Sequence, residues 1–269
     1  GVCIRMYTRE DLERAGDYQD PEIRRSSLAE VILRMAVLGL PPIQEFPFID
    51  PPRGAAVSEG YRTLFDIGAM TKKRKLTPRG RKLASFHLDP RLARMLEEGH
   101  TEKVLPAVIV CAAYLSIQDP RERPAEKADA ADQAHAGWKD PGSDFSGVLN
   151  MWNAVCEASQ SRSKRTRFCR KNFLHPRRVE EWLNLVDDLI GTCRDHQWDV
   201  PKSIGELELL DVDGLHRSIL AGVPRSIGER EENKQFRTPG GQVFRLFPGS
   251  ALAPKPPNWA MAFTLLETS

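Results

Sequence analysis

Leu28, Val31, Ile32, Met35 and Leu38 recur at the three- and four-residue spacing of one helix face. An Asp20-Pro21 pair upstream supplies an N-cap with proline at the first helical position, and Gly39 closes the run. Pro41-Pro42 and Pro51-Pro52 then separate this helix from a second, which carries Val57, Tyr61, Leu64 and Phe65 and stops at Gly68. Ala69-Met70, the basic tetrad Lys72 to Lys75, Leu76 and Thr77-Pro78 read as strand, exposed turn, strand and a newly capped helix. Helix, helix and a hairpin with a basic tip is the order of a winged-helix module. Such a module either binds duplex DNA or serves as a packing adaptor. Residues 1–7, with Val2, Ile4 and Met6 on one side, read as a short strand that opens without a turn or cap, as if cut from a larger domain.

From about residue 88 to 198 the periodicity is helical throughout. Val104 to Ile117 reads as a helix buried on most sides, and Leu149, Trp152 and Val155 mark another. Val179, Trp182, Leu183, Val186, Leu189, Ile190 and Cys193 form an amphipathic stripe. Residues 119–124 and 139–143 read as polar loops. This is the pattern of a helical bundle. Beyond Pro201 a short helix (Leu215, Ile219, Leu220) precedes candidate strands at 235–238, 242–247 and 259–266, punctuated by Gly240-Gly241, Pro248-Gly249 and 254–257. A small β-barrel of the OB type fits this end, with the chain stopping directly after a strand-like run.

Composition narrows the class. The 269 residues are 41% hydrophobic and 28% charged, with a mean hydropathy of −0.43, the balance of a soluble chain that buries a core. No run is long enough for a membrane span, and no secretory leader opens the sequence. Five cysteines form no CxxC pair. Cys111, Cys156 and Cys193 read as small core residues, which fits a reducing cytoplasm. The net charge of +2 hides segregation. Residues 71–82 hold seven basic side chains and 161–178 hold eight, both without an acid, whereas 180–213 carry ten acids against Arg194 and Lys202. Basic runs of this kind suit a polyanion, although each alone also fits solvated loops. There is no P-loop, HExxH or G-x-S-x-G, and the six histidines are scattered. Spacing alone gives no catalytic centre and no metal site.

Several segments resemble, in order, the region that follows the RecA-like domains in DEAH-box ATP-dependent RNA helicases of the bacterial HrpA type. They are Gly1-Val2-Cys3-Ile4-Arg5-Met6-Tyr7, Asp20-Pro21-Glu22-Ile23-Arg24-Arg25-Ser26-Ser27-Leu28 with Leu38-Gly39-Leu40, Leu76-Thr77-Pro78-Arg79-Gly80-Arg81 and Leu88-Asp89-Pro90-Arg91-Leu92-Ala93-Arg94-Met95. Leu115-Ser116-Ile117-Gln118-Asp119-Pro120-Arg121-Glu122-Arg123-Pro124 is the match most particular to the bacterial branch, and Phe247-Pro248-Gly249-Ser250 with Pro257-Asn258-Trp259 resembles the OB segment. The resemblance implies a multidomain, mainly α chain with a small β part. Residues 1–19 would be the tail of a RecA-like domain, 20–86 a winged helix, 87–205 a helical, ratchet-like bundle, and 206–269 an OB-fold-like unit.

The resemblance also implies a role: an accessory region, itself without catalysis, that borders the single-stranded RNA channel and couples RecA-domain motion to translocation. ATP and Mg would belong to the parent helicase and no cofactor to this segment. The expected partners are single-stranded RNA, the parent's RecA-like domains and protein activators, with no membrane. A single strand needs phosphate contacts and stacking surfaces rather than base readout. The candidate contacts are Ser116, Gln118 and Asn172 as polar groups, and Arg121, Arg123, Arg165 and Arg177 as cations. Arg121 and Arg123 could instead pair locally with Asp119 or Glu122, Asn172 could cap a turn or helix, and Lys72 to Lys75 could simply be solvated. Arg162 to Arg178 and Ser116 to Arg123 are expected to converge as two loops on one side, with the acidic 180–213 stretch facing outward. A protein-docking platform and a winged-helix nucleic-acid binder are the alternative functions. Against the latter, the second helix bears Glu59 and Asp66 with only Arg62.

Overall fold

The computed structural model describes residue 8 and residues 28–208 and 211–265; the strand expected at 1–7 and the Asp20-Pro21 helix start lie outside them. α1 (Leu28–Val37) turns Leu28, Ala29, Ile32 and Leu33 into the core and ends at Gly39, whose φ of +69° is cheap only without a Cβ. α2 (Gly54–Asp66) crosses it at Gly60, where a Cβ would lie 2.8 Å from Ile32 Cδ1. Met70 and Leu76 make a single antiparallel bridge around the 71–75 turn, closed by Thr71 N donating to Lys75 O at 2.9 Å. α3 (Pro78–Ala84) follows. Thr77 caps it, its Oγ1 accepting from Gly80 N at 3.0 Å while donating to Gly68 O at 2.7 Å. One hydroxyl thus ties the hairpin to the helix.

The helical body is built on α4 (Pro90–Thr101), capped by Asp89, and α5 (Leu105–Ser116). α5 is buried continuously from Ala107 to Ala113, so it is apolar all round rather than amphipathic. A 3₁₀ turn (Ala125–Lys127) leads into α6 (Ala128–Ala136), then α7 (Asp144–Ala158), α8 (Arg162–Lys171) and α9 (Pro176–Asp195). Trp182 on α9 is fully buried and donates its indole N–H to Val110 O on α5 at 3.0 Å; Trp152 on α7 meets it edge-on at 5.1 Å. Burial also pushes the Cys111 and Cys193 thiols up to about 12, so both are inert packing groups.

α10 (Val212–Gly222) lies against α4, where Gly222 allows Met95 to close in, and its Leu215 and Ile219 join the core that α1 to α5 and α7 to α9 share. The β part is one antiparallel sheet of β1 (Ile227–Arg230), β2 (Gln235–Arg237), β3 (Val243–Arg245) and β4 (Trp259–Met261), in the order β3-β2-β1-β4. Its separate small core is Phe236, Phe244 and Ala260. Gly228 of β1 leaves room for the stacked Phe236–Phe244 pair. β1 carries no alternating apolar run, and periodicity did not foresee it. Met261 of β4 packs on the helical core, and the segments flanking the strands meet the helices through polar and aromatic contacts. Asp144 accepts from Ser250 Oγ and Ala251 N, Arg91 lies over the Phe263 ring at 4.9 Å, and Arg225 pairs with Asp66 at 2.6 Å.

Candidate nucleic-acid interface

α5 ends at Ser116, whose hydroxyl donates back to Ala112 O at 2.8 Å. The chain then runs through an extended segment, 117–124, that is stitched to the turn between α8 and α9. Arg121 and Leu174 form an antiparallel bridge, Glu122 N donates to Phe173 O and His175 N to Pro120 O, both at 2.8 Å. Arg178 adds a guanidinium bond to Asp119 O at 3.0 Å. His135 of α6 sits beneath the same turn, its Nε2 3.1 Å from Asn172 O. Two segments fifty residues apart in sequence therefore meet at one edge of the bundle. They do not meet as two loops: residues 162–171 are helix α8.

The side chains at this edge divide into committed and uncommitted groups. Asp119 accepts from Arg121 N at 2.9 Å and holds its guanidinium through both carboxylate oxygens, the shortest contact being 2.7 Å. Arg121 also donates to Tyr114 Oη at 3.0 Å. Burial pushes the Asp119 carboxyl up, but the hydrogen bonds and charge of Arg121 outweigh this and hold it below its ordinary value. Burial likewise pushes the Tyr114 phenol up. Arg123 pairs with neither Asp119 nor Glu122. Its Nε and Nη2 grip Asp132 on α6 at 2.8 and 2.9 Å. Asn172 is the C-cap of α8, with Nδ2 donating to Phe168 O at 2.9 Å. Arg165 leans toward Glu180 at 3.9 Å, and Glu180 also takes Arg162 at 3.3 Å.

Gln118 and Arg177 are exposed, and neither makes a side-chain hydrogen bond or ion pair among the described residues. Arg177 shares an open groove of about 450 Å³ with Ser116, Ile117, Glu180, Glu181, Asn184, Leu185 and Asp188. Glu181 and Asp188 line this groove without a cation of their own among the described residues, beside a Glu180 already shared by Arg162 and Arg165, so the groove is acidic around Arg177. The acids of α9 thus face the neighbourhood of Ser116 and Arg177 instead of turning away from it. At the hairpin, Arg74 lies over the Tyr61 ring at 4.3 Å and Lys72 over Phe65 at 5.7 Å, so part of the basic tip folds back on α2 rather than standing free in solvent. Among the described residues no group of three acids, histidines or cysteines could hold a metal ion, and no helix is long and apolar enough to cross a membrane.

The sequence reading missed Asp132, Tyr114 and Glu180 as the groups that occupy the arginines. The Asp119–Arg121 pair was visible in the spacing. The Arg123–Asp132 pair was not, because it depends on α6 turning back over the segment. Asp129, Asp132 and His135 at three-residue spacing were the available signal for that helix.

The family described as helicase associated domain (HA2), ratchet-like, matches residues 89–180, from the start of α4 into α9. Over its whole length the chain is 37% identical to the ATP-dependent RNA helicase HrpA of Escherichia coli and 37% identical to its homologue in Haemophilus influenzae. It is 31% identical, over 73% of its length, to the probable ATP-dependent RNA helicase DHX34 of Homo sapiens. The chain belongs to the DEAH-box helicase family, on its HrpA branch, and carries that family's ratchet-like domain. It spans 21% of the length of each of the two bacterial relatives.

Proposed function

We propose that this chain is the accessory region of an ATP-dependent RNA helicase, bordering the single-stranded RNA path and coupling the motion of the parent's RecA-like domains to translocation. The observation that carries the reading is the stitched edge, where segment 117–124 and the α8–α9 turn bring two arginine-bearing stretches together. The ratchet-like match over the same residues supports it. On this reading residues 1–19 end a RecA-like domain, 20–86 form a winged helix acting as the joint, 87–205 form the ratchet-like bundle, and 206–269 form an OB-type unit. ATP and Mg act on the RecA-like domains of the parent. At the edge, Gln118 and Arg177 are free to meet RNA, while Arg121, Arg123 and Asn172 set the backbone that presents them.

Cross-linking tests this directly. A short oligonucleotide carrying 4-thiouridine, irradiated with the 269-residue chain and mapped by mass spectrometry, should mark peptides within 116–123 and 162–178. Cross-links confined to the 71–75 hairpin, or none above a scrambled-protein background, would refute the RNA-edge reading. The latter result would favour a protein-docking role. That second reading has its own support in Leu38 and Ile49, which stand 72% and 99% exposed on the α1–α2 connection.

A further inference from the structure

The candidate cations predicted at the edge are largely spent on carboxylates, yet the helix beside them is not. α8 carries Arg162, Lys164, Arg165, Arg167, Arg170 and Lys171 and no acid. Its inner side is fixed by the buried Cys169, the half-buried Arg165 and Asn172, and Glu180 of α9, which takes up Arg162 and Arg165. At 100° per residue, Ser163, Lys164, Arg167, Arg170 and Lys171 fall on the opposite side, and all five are exposed. None of these four cations has an ion-pair partner among the described residues; Lys164 meets only the neutral Gln160 Oε1 at 2.6 Å. We infer that this outward face of α8 is a phosphate-binding surface for the backbone of RNA, and that it supplies the principal electrostatic contacts of the chain.

Three features select RNA backbone over other anions. First, at a rise of about 1.5 Å per residue, Lys164 to Lys171 span roughly 10 Å, the length of about three phosphates along one stacked strand. Second, the face holds no apolar or aromatic residue, whereas a protein partner normally anchors on such groups. Binding would be electrostatic and indifferent to sequence, as a translocating strand requires. Third, the helix bears its charge at a cost. Lys164–Arg167, Arg167–Arg170 and Arg167–Lys171 are like-charge neighbours, and the cations of its first turn oppose the helix dipole, which Arg170 and Lys171 in the last turn favour. A bound polyanion relieves both terms.

The inference rests on the proposed RNA role and is tested separately from it. Fluorescence anisotropy of a labelled 12-mer oligouridylate is titrated with the full 269-residue chain and with K164Q/R167Q/K171Q across a salt series. Glutamine keeps helix propensity, and an unchanged far-UV spectrum confirms the fold. With three phosphate contacts removed, the magnitude of the slope of log K against log salt should drop by about 2, with affinity at least tenfold weaker at about 0.1 M salt. If the wild-type chain binds and the variant binds with the same affinity and slope, the α8 assignment is wrong while the RNA role stands. If the wild-type chain does not bind oligouridylate at all, the RNA role itself fails and the assignment with it. Equal competition by polyglutamate of matched charge would also overturn it, marking α8 as a surface for acidic protein.

Discussion

Trp182→Phe tests whether the proposed interface depends on the core beneath it. Trp182 has no exposed surface, donates to Val110 O at 3.0 Å, and lies 5.3 Å from the ring of Tyr114. Tyr114 in turn accepts from Arg121. Phenylalanine removes two ring carbons and the N–H. At about 0.8 kcal/mol per buried carbon the loss is ~1.6 kcal/mol, and the hydrogen bond adds ~1 kcal/mol. The expected destabilisation is about 2.5 kcal/mol. Followed by far-UV circular dichroism in urea, with a slope near 3 kcal/mol/M, the midpoint should fall by about 0.8 M. The same exchange at Trp259, which is 53% exposed, serves as the control and should move the midpoint by less than a quarter of that. Equal shifts at the two sites, or none at Trp182, would refute the view that α9 is pinned to α5 through this indole.

Gly80→Ala places a Cβ against the carbonyl of Ala69 and 2.8 Å from Leu76 Cδ1, on hairpin atoms that Thr77 holds in place. The gain of about 1 kcal/mol in helix propensity is outweighed, and a net loss of about 1–2 kcal/mol should appear as a lower urea midpoint. The Asp119 carboxyl has a folded pKa below its ordinary 3.8, so its contribution is fully present above that value and is lost as pH falls through the lower folded value. Asp119→Asn should therefore lower the melting temperature at pH 7, and the gap to wild type should shrink as the pH falls below 3.8. A gap unchanged by acid would mean the carboxylate charge is not what holds the segment.

Helix periodicity made most of the architecture legible. The apolar stripes of α1, α2, α7 and α9 were readable because each pairs a buried face with a polar one, and α5 because it is apolar all round. Gly39 and Gly68 were sound stop signals, with φ of +69° and +74°. β1, with the sequence Ile-Gly-Glu-Arg, was illegible because its partners on either side supply the hydrogen bonds and Phe236 and Phe244 supply the packing. The site was legible at the level of segments and not of side chains. Residue type and charge runs singled out 116–123 and 162–178, and the fold brings these two segments to one edge. Which arginine is free, however, depends on carboxylates that arrive through the fold: Asp132 from α6 and Glu180 from the next helix. Asp119 lies only two residues from Arg121, and there the local reading sufficed.

α8 carries an energetic signature that distinguishes a binding face from a merely solvated one. Three like-charge neighbours at about 0.2–0.5 kcal/mol each, with first-turn cations against the dipole at about 0.3–1 kcal/mol, destabilise the helix by roughly 1–2 kcal/mol. The Ser161 and Asn172 caps, the buried Cys169, and Arg170 and Lys171 in the last turn, which favour the dipole, act against that repulsion. K164Q/R167Q/K171Q should consequently melt higher than wild type in low salt without RNA, even though it binds RNA less well. Added salt should erase the difference by screening the repulsion, because the Debye length contracts to a few ångströms near 1 M. A merely solvated face predicts a smaller contrast, since long side chains that splay freely into water repel little. If the variant melts at or below wild type in low salt, the charges of α8 are relaxed in the free protein, and the repulsion that a bound polyanion would relieve is not there.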